Sequence, residues 1–171
     1  MRASTEHAFA GRRWLVAGLL SAMAATAFAH GDGKHAPRKA TQPISTEEKA
    51  FGREGDPKKA TRTVNVGMAD TMRFTPGELV VTRGETIRFV VRNQGKVMHE
   101  MVIGTMQELK EHADMMKKHP GMEHDDPWMA HVAAGKSQTM VWQFTKAGEF
   151  YYGCLIPGHF EAGMIGKIIV K

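Results

Sequence analysis

The chain has 171 residues, a formal net charge of +5 and a single cysteine. This length suits one domain with terminal extensions. The lysines and arginines are scattered along the sequence, which argues against nucleic-acid binding, and one cysteine cannot form an intrachain disulfide.

Residues 1–29 have the pattern of an export signal peptide. Arg12 and Arg13 precede an apolar run over 14–23, and a small-x-small cleavage motif ends at Ala29. The run is shorter than the about 20 apolar residues that a membrane span requires. We therefore expect an exported, periplasmic protein with no membrane span after cleavage. The sequence leaves open whether export follows the Sec or the twin-arginine route.

Residues 30–60 are rich in lysine, glycine, proline and threonine, and we expect them to form a flexible N-terminal tail. Ser45 and Glu48 have the spacing of a helix capping box, which predicts one short helix ending near Phe51. Cleavage would leave His30 at the new N-terminus, where its amine and ring can chelate Cu(II). A solvated tail residue is the favoured alternative for this histidine.

The folded domain is expected over 61–171. Its apolar residues alternate with polar ones in short segments bounded by turn residues, which is typical of half-buried strands. About eight such segments predict an all-β fold, an antiparallel sandwich with Greek-key links. The predicted strands are 63–68, 72–74, 78–82, 85–93, 97–103, 137–145, 149–153 and 164–170.

One inserted segment, 105–118, has helical rather than strand periodicity. Thr105 and Glu108 form a second capping box at its start. Apolar residues at helical spacing predict that one face packs against the sandwich. These residues are Met106, Leu109, Ala113 and Met116.

The loop that follows, 119–131, contains three histidines and two methionines among acidic and turn residues. Thioether and imidazole groups bind copper, so the loop is a candidate accessory copper site. Because the spacing is irregular, a solvated acidic loop packed down by Trp128 is the favoured interpretation. The candidate accessory ligands are His119, Met122, His124, Met129 and His131.

The last twenty residues carry the chemistry that organises the chain. Cys154 is followed by His159 and Met164, and Pro157-Gly158 is a turn pair that can bring the cysteine and the first histidine to one point. A thiolate, an imidazole and a thioether together suit copper.

A blue-copper site needs a second imidazole, because its ligands are two histidines, one cysteine and a weak axial methionine. His99 is the best candidate. It shares a strand face with apolar residues. A lone histidine in such a position is more often a hydrogen-bonded core residue than a metal ligand. Because the C-terminal loop supplies three further copper-binding side chains, we favour the ligand interpretation for His99. The predicted copper ligands are His99, Cys154, His159 and Met164.

The pattern Cys-x4-His-x4-Met, with P-G-H inside it and G-K-I-I-V-K after it, resembles the cupredoxin (type 1 copper) family over about 61–171. The ligand loop is similar to those of rusticyanin and auracyanin. The M-H-E segment around His99 and the His/Met-rich loop look most like periplasmic cupredoxins linked to bacterial copper resistance. The resemblance implies the same four ligands. Glu100 stands where many members have an asparagine that ties two ligand loops together.

Two functions agree with this resemblance. One is copper tolerance, in which the protein binds and redox-handles periplasmic copper. The other is electron transfer to a redox partner protein, with the apolar residues around His159 as the docking patch.

Other classes fit less well. One cysteine excludes a two-cysteine dinuclear copper centre, and the lack of a His-x-His pair argues against a multicopper oxidase cluster. A Cys–His nucleophile would give Met164 no role, so we do not expect an enzyme. Zinc bound by His, His and Cys is the remaining metal alternative.

Overall fold

Residues 43–120, 122 and 125–171 are described in the computed structural model of this protein. The predicted signal peptide, His30 and His124 lie outside these residues. Within them, no helix is long and apolar enough to cross a membrane.

The described residues form eleven strands in two sheets. The six-stranded sheet has the order β1-β2-β9-β6-β3-β4, and the five-stranded sheet has the order β5-β11-β10-β7-β8. The strands are β1 (Glu48–Lys49), β2 (Gly52–Glu54), β3 (Arg62–Ala69), β4 (Arg73–Thr75), β5 (Glu78–Val81), β6 (Thr86–Asn93), β7 (His99–Gly104), β8 (Met129–Val132), β9 (Ser137–Gln143), β10 (Gly148–Gly153) and β11 (Ile165–Val170).

Alternating apolar residues place the core between the two sheets. On β6, Ile87, Phe89 and Val91 are fully buried, and they face Met101 and Ile103 of β7 within one apolar cluster. Eight of the eleven strands match the predicted segments, and the predicted all-β Greek-key sandwich is confirmed.

The expectation of a purely antiparallel arrangement is wrong at two pairs. β3 pairs with β6 in parallel, and β5 pairs with β11 in parallel. After β4 the chain crosses to the other sheet as β5 and then returns as β6. β6 returns on the side of β3 opposite to β4, where it runs parallel to β3. Parallel neighbours need such a crossover connection, since a tight turn joins only antiparallel strands.

The predicted short helix before Phe51 is wrong, because β1 and β2 form a small antiparallel hairpin there. Gly52 has a φ of +119°, and a Cβ at this residue would lie 2.0 Å from the carbonyl oxygen of Gln143. The backbone N–H of Ser45 bonds to Glu54, so the predicted capping partners do not meet.

The described part of the predicted tail from Glu48 onward is therefore built into the sandwich. β2 pairs with β9, and Phe51 stacks on Trp142 with ring centroids 5.2 Å apart. The indole Nε1–H of Trp142 also donates to the carbonyl oxygen of Phe51 at 2.9 Å. A 3-10 helix, Pro57–Lys59, then leads into β3.

The predicted helix is confirmed as α1 (Met106–Lys118). The hydroxyl of Thr105 accepts from the N–H of Glu108 at 3.2 Å, and the Glu108 carboxylate accepts from the N–H of Thr105 at 2.9 Å. Leu109, Ala113 and Met116 are buried as expected, which holds the helix against the five-stranded sheet.

Substitution of Phe51 tests whether the N-terminal hairpin contributes to the fold. We expect Phe51→Ala to lower the free energy of unfolding by about 3–5 kcal/mol, because it removes a buried ring and leaves a cavity beside Trp142. Urea denaturation of the metal-free protein measures this. Ile44→Ala is the matched control, since Ile44 is 44% exposed, and its effect should stay within about 0.5 kcal/mol. Equal free energies of unfolding for the two variants would contradict a contribution of the N-terminal hairpin to the fold.

Candidate metal centre

Two neighbouring strands bring the predicted ligands together. His99 is the first residue of β7, and Cys154 directly follows β10. β7 and β10 pair antiparallel, with Gly153 opposite Val102. This pairing places the start of one strand beside the end of the other, so an imidazole from mid-chain meets a thiol from near the C-terminus.

Three ligand groups converge on one point. The Cys154 Sγ lies 3.2 Å from His159 Nδ1 and 4.0 Å from His99 Nδ1. One ligand atom from each of the three residues lies within 4.8 Å of the others. Cys154 and His99 are fully buried, whereas the His159 ring is half-buried.

Backbone hydrogen bonds close the loop that carries the other ligands. The N–H of Cys154 donates to the carbonyl oxygen of Met164, and the N–H of Met164 donates to that of His159, both at 3.1 Å. Gly158 has a φ of +90°, which allows the turn that aims His159 inward. Met164 is fully buried in the same apolar cluster as Cys154.

A salt bridge joins this loop to the helix. The Lys117 ammonium near the end of α1 lies 2.6 Å from a Glu161 carboxylate oxygen. The other Glu161 oxygen accepts from the backbone N–H of Gly158 at 3.1 Å. The helix therefore supports the turn from outside.

Sequence reasoning missed Asp70, which contacts His99. Asp70 Oδ1 lies 3.0 Å from His99 Nε2, and Oδ2 accepts from the backbone N–H of Lys96 at 2.8 Å. Hydrogen bonds from Lys96 and His99 lower the pKa of the Asp70 carboxyl. No metal-binding motif contains this aspartate, because it reaches the site from the turn after β3.

Glu100 does here what the asparagine does in many cupredoxins, by bridging the two ligand segments. Its side-chain Oε1 accepts from the N–H of Leu155 at 2.8 Å. Its own backbone N–H points to the Cys154 sulfur at 3.4 Å. The second carboxylate oxygen pairs with His131 Nδ1 at 2.9 Å, and so extends the bridge to β8.

Protonation at the site follows from burial. Burial, with a smaller effect of the Glu100 charge, raises the pKa of the Cys154 thiol to about 12. The metal-free protein therefore holds the proton on sulfur at neutral pH, and metal binding as thiolate releases it. Burial, and then the neighbouring His99, lower the pKa of His159, which keeps this ring in the neutral, metal-binding form.

The donor set fits copper. Two imidazole nitrogens, one sulfur and a nearby buried thioether are the ligand types of blue-copper sites. Copper, when bound, supplies a one-electron redox couple. The chain contributes ligands that the pairing of β7 with β10 holds close together without metal. Apolar residues beside them exclude water, among them Leu155 and Phe160.

The candidate accessory ligands do not converge in the described residues. Met129 is buried on β8 in a cluster with Val102, and His131 pairs with Glu100. Met129 and His131 both lie on β8, a strand that the sequence did not predict. His119 caps the end of α1, and Met122 is exposed.

Sandwich and site together define the class of protein, a cupredoxin with a type 1 copper ligand set. The sequence pattern of the family described as copper binding proteins, plastocyanin/azurin family, matches residues 60–171. The chain belongs to this family. The prediction of copper as cofactor is confirmed, and the zinc alternative loses its support.

Similar proteins agree with this assignment. The chain is 51% identical over 148 residues to the copper-resistant cuproprotein CopI of Rubrivivax gelatinosus, a match that covers 86% of this chain and 90% of that protein. A short match to rusticyanin of Acidithiobacillus ferrooxidans is 68% identical over 25 residues and covers 15% of this chain and 16% of rusticyanin. The structure of auracyanin B has a TM-score of 0.59 at 22% identity, covering 72% of this chain and 96% of that one, and shows the likeness of the fold.

Removal of the Glu100 carboxylate tests the bridge. We expect Glu100→Ala to lower the free energy of unfolding by about 1–3 kcal/mol, because the buried N–H of Leu155 loses its acceptor. Urea denaturation of the metal-free protein measures the loss. Glu100→Gln is the control, since its amide oxygen can still accept from Leu155, and it should lose less. If both variants have the same free energy of unfolding as the wild type, the Glu100 bridge contributes nothing to stability.

Proposed function

We propose that this chain is an exported, periplasmic copper-binding protein that acts in copper tolerance by binding and redox-handling copper. The single observation that carries this proposal is the cluster of buried Cys154 and His99 with half-buried His159, in a chain 51% identical to a copper-resistant cuproprotein. The export pattern in residues 1–29 supports the location. Copper arriving in that compartment would meet ligands that are already in place.

Electron transfer is the second candidate, and the half-buried His159 favours it. In the same loop, Ile156 is also partly exposed and Pro157 is exposed. An apolar surface around a ligand edge suits the transient docking of a redox partner. Neither candidate requires the chain to transform a substrate, so we propose a non-enzymatic role.

Growth under copper stress tests the first proposal. A strain that lacks the gene should become copper-sensitive, and the wild-type gene should restore growth. Cys154→Ser should not restore it, because the thiolate ligand is lost. Glu111→Gln is the control, since Glu111 is exposed on α1 and bonds to Gln107.

Normal growth of the deletion strain at toxic copper would contradict copper tolerance. Impaired respiration of that strain without added copper would favour the electron carrier instead.

The accessory copper site stays a prediction, and copper stoichiometry tests it. We expect one Cu(II) per chain at the type 1 site, with any further ion bound near His119 and Met122, which remain at the surface. Metal analysis compares the number of copper ions per chain in the loaded wild-type protein and in the loaded double variant His119→Ala/Met122→Ala. A stoichiometry of one in both proteins removes the accessory site from the proposal.

A further inference from the structure

The two nitrogens of the His99 ring face two different groups. Nδ1 points to Cys154, whereas Nε2 lies 3.0 Å from the Asp70 carboxylate. The ring is fully buried, while the Asp70 side chain is 39% exposed. The carboxylate therefore reaches inward from the surface to the far side of a metal ligand.

The surroundings of Asp70 are built to hold this carboxylate in place. One oxygen faces His99, and the other accepts from the backbone N–H of Lys96. A Cβ at residue 95 would lie 1.9 Å from Asp70 Oδ1, so only glycine leaves room for the carboxylate there. Among the described residues, the ion pair that Asp70 forms is with His99 itself.

We propose that Asp70 is a positioning residue that fixes the His99 tautomer and lowers the reduction potential of the copper site. A hydrogen bond from Nε2–H to a carboxylate leaves Nδ1 as the free lone pair, directed at the site. The same carboxylate makes the imidazole a stronger donor. Its negative charge stabilises Cu(II) more than Cu(I), because the oxidised ion carries one more positive charge.

This inference concerns the copper centre itself and does not rest on copper tolerance. A strain that grows normally at toxic copper would contradict the proposed function and leave the role of Asp70 unaffected. An unaltered reduction potential after loss of the Asp70 carboxylate would contradict the role of Asp70 and leave the proposed copper tolerance unaffected.

The first experiment measures the midpoint potential of copper-loaded Asp70→Asn. Asparagine has the same shape but no charge, and it offers one oxygen to two N–H donors. We expect the Cu(II) affinity to fall about 10- to 100-fold, with a smaller change for Cu(I). At about 59 mV per tenfold for one electron, the midpoint then rises by up to about 60–120 mV.

Glu111→Gln is the matched control, because it removes a carboxylate charge from an exposed position on α1 that bonds to Gln107. Its midpoint should equal that of the wild type. If Asp70→Asn also has the wild-type midpoint, the proposed effect on the potential is wrong.

The second experiment does not depend on the variant folding or binding copper. Nitrogen chemical shifts of the metal-free wild-type protein identify the tautomer of His99. We expect the proton on Nε2, and Asp70→Ala should give a mixture of tautomers. A proton on Nδ1 in the wild type would overturn the proposal.

Discussion

The antiparallel pairing of β7 with β10 is the interaction on which the metal centre depends. It holds the start of one strand against the end of the other, and the ligands His99 and Cys154 occupy those two positions. Both strands lie inside the five-stranded sheet, with β8 and β11 on their outer sides. The separation of imidazole and sulfur is therefore a property of the sheet and exists before any metal binds.

Residues close together in the sequence were enough to predict the ligand loop and most of the strands. The ligand loop could be identified because a cysteine, a histidine and a methionine stand close together in sequence, and eight strands could be identified from alternation. β1, β2 and β8 were missed because of the composition around them. β1 and β2 lie in a segment whose lysine, glycine, proline and threonine content favours a tail, and β8 ends a loop rich in histidine, methionine and acidic residues. Phe51 entered the core through stacking on Trp142, a contact between residues far apart in sequence.

The carboxylates around the site were harder to predict for the same reason. Asp70 lies 29 positions from His99, and only the turn after β3 brings the two together. Glu100 was visible as a departure from the asparagine common in cupredoxins, but its bond to Leu155 depends on the pairing of strands. Sequence thus identifies the atoms that bind copper more readily than the groups that orient those atoms.

The burial of Cys154 has a consequence for the time before copper arrives. In an oxidising compartment, an accessible thiolate reacts with disulfides and peroxides. The sulfur here is fully enclosed and keeps its proton, so it is a poor nucleophile towards either. Burial and protonation together therefore slow oxidation of the metal-free thiol.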